Sequence, residues 1–85
     1  MDINPRHIGA WFNLGVIVSG FGRYRDSLDF FDTALELKPN AAEIWYMKSL
    51  ILKNLKRSNE AFECLEMALR LDPRLLLINK SKNFI

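Results

Sequence analysis

The chain repeats itself every 34 residues. Pro5, Pro39 and Pro73 fall in step, as do Trp11 and Trp45, Arg23 and Arg57, Ala34 and Ala68, Leu35 and Leu69, and Leu37 and Leu71. A fixed period of a few tens of residues marks a stacked solenoid, in which each unit packs on its neighbours rather than around one centre. Such a molecule works by presenting surface. Function is therefore sought first in a groove, not in a pocket.

Helical spacing runs through both periods. Trp11, Leu14, Gly15 and Val18 recur at i, i+3, i+4 and i+7 over residues 8–20, one face of a helix. Gly20 and Gly22 break that pattern. Tyr24, Leu28, Phe31, Ala34 and Leu35 continue it over residues 24–37. Pro39 then closes the second helix, because proline disfavours helix at the residue before it. The next unit starts with Asn40 as an expected N-cap and Glu43 three residues on. Its first helix reaches about Asn54, with Trp45, Leu52 and Leu55 among its apolar positions. Ser58 is the expected cap of the fourth helix, with Glu60 near its positive end. Ala61, Leu65, Ala68 and Leu69 form that helix's inner face. Asp72-Pro73 opens a fifth segment. The pattern predicts five helices and no strand: two antiparallel hairpins and a lone terminal helix. Small residues at inner positions let helix axes approach while a large partner fills the space opposite. Gly15 facing Phe31 and Ala34 facing a tryptophan are expected pairings of that kind.

Composition narrows the function. Four glycines and three prolines in 85 residues argue against low complexity or disorder. No apolar run approaches the ~20 residues of a membrane span, and no signal peptide is visible at the N-terminus. Cys64 is the single cysteine, so no internal disulfide forms, which fits a reducing compartment. One cysteine and one histidine, His7, cannot make a structural zinc site. No glycine-rich phosphate loop follows a strand. No nucleophile, base or metal set converges, and neither catalysis nor a cofactor is expected. Net charge is +2, too small to imply a polyanionic partner. Residues 1–42 hold four basic and five acidic side chains, net −1, and residues 43–85 hold eight and five, net +3. Asp26, Asp29, Asp32 and Glu36 line one helix at three- and four-residue spacing; a solvated outer face and an acidic docking stripe are both compatible with it.

These residues resemble the tetratricopeptide repeat, whose 34-residue pattern is W-x2-L-G-x2-Y, then A-x3-F, then A and P. The first unit reads Trp11-x2-Leu14-Gly15-x2-Val18, then Ser27-x3-Phe31, then Ala34 and Pro39. The second reads Trp45-x2-Lys48-Ser49-x2-Leu52, then Ala61-x3-Leu65, then Ala68 and Pro73. Val18 and Ser27 depart from the usual Tyr and Ala, and Lys48-Ser49 from the usual Leu-Gly. Lys48 is expected to loosen the second hairpin unless its stem lies along the helix and its ammonium reaches water. The resemblance implies an all-α, right-handed superhelical stack of antiparallel hairpins: repeats at 8–41 and 42–75, with residues 1–7 reading as the tail of a preceding repeat. Residues 76–85 read as a capping helix or the start of a degenerate repeat. Asn79, Lys82 and Asn83 occupy the Trp and Leu-Gly places there. Leu75 and Ile78 are expected to pack inward, whereas Leu76, Leu77, Phe84 and Ile85 are more apolar than a cap needs.

The resemblance also implies a concave face made by the first helix of each hairpin, which in the family mostly holds an extended peptide or helix of another protein. Its positions map onto Gly9, Phe12, Val16, Ser19 and Gly20, and onto Glu43, Tyr46, Leu50, Lys53 and Asn54. Phe12 with Val16 and Tyr46 with Leu50 are i, i+4 pairs. Tyr46 and Phe12 are the expected hot spots, with Lys53 set to meet a carboxylate and Glu43 a basic group. Some family members grip a C-terminal carboxylate with Lys, Asn and Arg; Phe12, Val16 and Met47 stand at such places, so that clamp is not expected. Self-association is the alternative: Ala10, Ile17 and Phe21 are the counterparts of Ile44, Ile51 and Leu55, and would lack a preceding helix to pack on. A related RNA-reading repeat has period 35 and is disfavoured by a groove of Phe, Val, Tyr and Leu. The expectation is a non-catalytic, cytoplasmic interaction module with a protein partner, no nucleic acid and no membrane.

Overall fold

The computed structural model describes residues 7–77 and is all-helical over them: α1 (Ile8–Gly20), α2 (Tyr24–Leu37), α3 (Ala42–Asn54) and α4 (Ser58–Leu71). A further helical turn begins at Leu75. The expected placements of Pro5, Ile78, Asn79, Lys82, Asn83, Phe84 and Ile85 lie outside the described residues. Packing is sequential, α1 on α2, α2 on α3 and α3 on α4, as a solenoid requires. The outline is elongated, 41 × 25 × 22 Å.

Both hairpins close in the same way. Arg23 N–H donates to the Val18 carbonyl at 3.0 Å and Gly22 N–H to that of Ser19 at 3.0 Å. One period later, Arg57 N–H donates to Leu52 at 2.9 Å and Lys56 N–H to Lys53 at 3.0 Å. This is the Schellman closure, which puts one residue in the left-handed region. Gly22 takes it at φ 79° and Lys56 at φ 62°. The turns between and after the hairpins also match: Lys38 has φ −144°, ψ 87° and Asp72 has φ −145°, ψ 93°. Both precede a proline, which forces this extended backbone.

Helix starts differ from the expected caps. Ala41, not Asn40, is the N-cap of α3, and Arg57, not Ser58, that of α4; neither side chain caps. The closing turns fix where each helix begins and leave Ser58 inside it. Arg57 instead holds Glu60 through two side-chain bonds of 2.9 and 2.6 Å. His7, singled out in the sequence only as the lone histidine, caps α1: its Nδ1 accepts from Ala10 N–H at 3.0 Å.

The core runs through the stack. Phe31 and Ala34 are fully buried, and Leu28, Leu35, Ile44, Ile51, Leu52 and Cys64 join them. Trp11 and Trp45 pack against this cluster as wedges. Trp11 stacks on Phe30 with ring centroids 6.0 Å apart, and Trp45 Nε1 donates to the Pro39 carbonyl at 2.7 Å, pinning the turn between repeats. Gly15 faces Phe31 so closely that a Cβ there would lie 2.5 Å from the ring. Ser27, fully buried, donates to the Gly15 carbonyl at 2.9 Å, tying α2 to α1.

Lys48, expected to loosen the second hairpin, reaches back to the first. Its Nζ lies 2.6 Å from Asp32 Oδ1 on α2 and 5.6 Å from the Trp45 ring centroid. The ammonium thus reaches a carboxylate and an aromatic face together. Asp32 consequently leaves the purely solvated stripe, as does Asp26, paired with Arg23 at 2.6 Å.

Candidate functional site

Helix geometry brings the mapped groove residues into two clefts and leaves some in neither. The first cleft, ≈ 410 Å³, lies between the starts of α1 and α3. Gly9, Phe12 and Glu43 line it with Ile8, Lys38 and Arg74. Phe12 forms its apolar wall and is held in place by Phe31, ring centroids 5.8 Å apart. Glu43 is exposed at the rim. Arg74 is committed to Asp72 through bonds of 2.9 and 3.1 Å, and this side-chain pairing holds the Asp72 carboxyl below the usual carboxylate range.

The second cleft, ≈ 250 Å³, lies between α3 and α4 and is lined by Tyr46, Leu50, Lys53, Ala61, Phe62 and Leu65 among others. Tyr46 needs correction as a hot spot. It is 8% exposed and sits in a buried cluster with Ala68 and Leu75. Its ring serves the core, because the chain after Pro73 turns back and lays Leu75 against it. Leu50 remains half-buried and Lys53 exposed.

Val16, Ser19 and Gly20 line neither cleft. Val16 and Gly20 are exposed, and the Ser19 hydroxyl donates to the Val16 carbonyl at 2.6 Å. Asn54 bonds back to the Leu50 carbonyl at 3.0 Å, so its amide is partly engaged. Of the residues assigned to self-association, Ala10 is half-buried, and Ile17 and Phe21 are exposed at 56% and 78%. Sequence reasoning did not single out Phe62 on α4, 61% exposed. Its counterpart Leu28 was available as a signal, since a position buried in one repeat is expected to be covered in the next.

Cys64 is buried, and desolvation pushes its thiol above the usual range, which suppresses the nucleophilic thiolate. Among the described residues no group of three or more His, Cys, Asp or Glu side chains converges on a metal position, and no helix is long and apolar enough to cross a membrane.

The family model of the tetratricopeptide repeat matches residues 8–41 and 42–75. The chain belongs to the tetratricopeptide repeat family. An uncharacterized protein of Methanocaldococcus jannaschii is 33% identical over 75 residues, covering 88% of this chain and 87% of that protein. Anaphase-promoting complex subunit 3 of Schizosaccharomyces pombe is 31% identical over 81 residues, 94% of this chain but 12% of that protein. Human tetratricopeptide repeat protein 33 is 39% identical over 51 residues, 60% of this chain and 20% of that protein. The solved structures of MamA (MSR-1 and AMB-1) superpose with a TM-score of 0.80 at 30% identity. They cover 84% and 81% of this chain, which spans 41% of each. Tetratricopeptide repeats are generally protein–protein interaction modules.

Proposed function

We propose that this tetratricopeptide repeat protein holds a peptide or helix of another protein along the face formed by α1 and α3, and performs no catalysis. The observation that carries this reading is the cleft at the starts of those helices. There Phe12 supplies a rigid apolar wall, Gly9 leaves room for a close approach, and Glu43 and Lys38 stand at the rim. An apolar anchor ringed by charge suits a ligand with one buried side chain and flanking polar groups. Exposed Val16 and half-buried Leu50 extend the apolar strip, and Lys53 adds a cation. A cytoplasmic setting, with Cys64 reduced and buried, belongs to the same proposal.

The test uses residues whose replacement leaves the core intact. Tyr46→Ala and Phe12→Ala would loosen buried packing and confound binding with folding. Val16→Asp and Glu43→Arg alter exposed side chains only. A displayed peptide library selected on the wild-type chain should yield ligands that both variants bind at least ~10-fold more weakly. Equal binding to wild type and both variants would place recognition elsewhere and overturn the proposal.

A further inference from the structure

The cleft between the starts of α1 and α3 has an apolar lining of Ile8, Phe12 and Ile44, and four charged side chains share its wall: Lys38, Glu43, Asp72 and Arg74. Two of the four are committed to each other, because Arg74 holds Asp72 through side-chain bonds of 2.9 and 3.1 Å. Lys38 and Glu43 are both exposed. Among the described residues neither side chain takes an ion pair or a hydrogen bond, with the other or with anything else. The cleft therefore offers one free cation and one free anion beside an apolar surface.

Stacking does not dictate these charges. Residues that the stack needs recur one period on, as Ala34 and Ala68, Leu35 and Leu69, and Pro39 and Pro73 do. The cleft residues do not recur. Gly9 gives way to Glu43, Lys38 to Asp72 and Asn40 to Arg74, so the sign at the turn reverses. Side chains on turns held by a rigid scaffold, with no packing duty, are the ones free to meet a ligand.

We infer that the peptide held in this cleft carries one large apolar residue flanked by an acidic side chain toward Lys38 and a basic one toward Glu43. This rests on the groove reading above and narrows its partner to a segment of mixed charge. At ≈ 410 Å³ the cleft falls within the ~300–1,000 Å³ of ligand sites, room for an anchor the size of leucine or phenylalanine with its adjoining backbone. Charges at an exposed rim orient and steer a ligand more than they hold it. Each pair therefore changes affinity only a few-fold, and the two together set the direction in which the peptide lies. A uniformly acidic segment is repelled by Glu43 and a uniformly basic one by Lys38, which adds discrimination against the wrong partner.

The probe is a displayed peptide library with one fixed leucine or phenylalanine and randomised flanks. It is selected on the full chain and on the full chain carrying Lys38→Glu together with Glu43→Lys, with helix content checked by circular dichroism. Wild type should enrich an acid on one flank of the anchor and a base on the other; the exchanged chain should enrich the reverse order. Selected peptides are then resynthesised with blocked ends. Glutamine in place of the acid should weaken binding to wild type about 2–5-fold and leave binding to a Lys38→Gln variant unchanged. The base and Glu43→Gln should behave in the same way. Ligands without a charge preference, or the same flanks chosen by both chains, overturn the inference. If such ligands are still weakened by Val16→Asp, groove binding stands and the mixed-charge partner alone falls. If Val16→Asp leaves them unaffected, or no ligand is selected, both fall.

Discussion

Replacing Gly15 with alanine adds one methyl group at the tightest point of the first hairpin. The added Cβ would lie 2.5, 2.8 and 2.9 Å from three atoms of the Phe31 ring, against the 3.5–4.0 Å at which carbon atoms attract. About 1 Å of movement is needed. The ring has nowhere to go: it is fully buried and meets Phe12 on one side. Overpacking of this kind costs about 2–3 kcal/mol. Alanine returns about 1 kcal/mol through its higher helix propensity. The net expectation is a loss of roughly 1–2 kcal/mol, or about 5–15 °C in Tm for a domain of this size. Gly20→Ala is the internal control. A Cβ there meets nothing within 4 Å, so the same substitution should be neutral or stabilising by up to ~1 kcal/mol. The second repeat suggests the rescue, for it places Ser49 and Leu65 where the first has Gly15 and Phe31. Phe31→Leu should therefore cost less in the Gly15→Ala background than in wild type, with a coupling of about 1 kcal/mol in a double-mutant cycle. Thermal and urea unfolding followed by circular dichroism measures wild type and the four variants. Equal effects of Gly15→Ala and Gly20→Ala, or a coupling near zero, would refute the packing argument.

Other consequences are simpler to state. Lys56→Gly should stabilise by about 0.5–1 kcal/mol in urea unfolding, since a left-handed lysine costs about 1–2 kcal/mol and glycine gives back part of that in chain entropy; a loss of stability would contradict the strain at φ 62°. Asp32→Asn should cost less than about 1 kcal/mol, because half of the Asp32 side chain faces solvent, and the difference from wild type should shrink as salt is added. Cys64 should react with a disulfide reagent far more slowly in the native chain than in urea, as its thiol is buried and its pKa raised; matched rates would show an open thiol. Asp72 titrates below its ordinary value because of Arg74, so its contribution is present above that ordinary value and fades as pH falls through the lowered one. Asp72→Asn should flatten the acid side of the stability profile, and an unchanged slope would remove that pair from the account.

The helices and their order were legible from sequence because the signals are local. Trp11, Leu14, Gly15 and Val18 share one stripe, Gly20 and Gly22 end it, and Pro39 forbids helix at Lys38. Each acts within a turn or two of chain, and α1 and α2 begin and end where those residues put them. Gly15 against Phe31 was also readable, since a 34-residue period fixes which positions face inward. Three things needed the folded chain. Lys48 looked like a defect until α2 brought Asp32 to it across 16 positions of sequence. Tyr46 mapped to an open face until the turn at Pro73 laid Leu75 on its ring. Phe62 became informative only when its counterpart Leu28 proved buried. Periodicity reports which side of a helix a residue occupies; whether that side is covered depends on a neighbour that sequence spacing does not name. Local backbone preference therefore determined the rods, and burial between them, a property of pairs far apart in the chain, decided which surfaces are left to meet a partner.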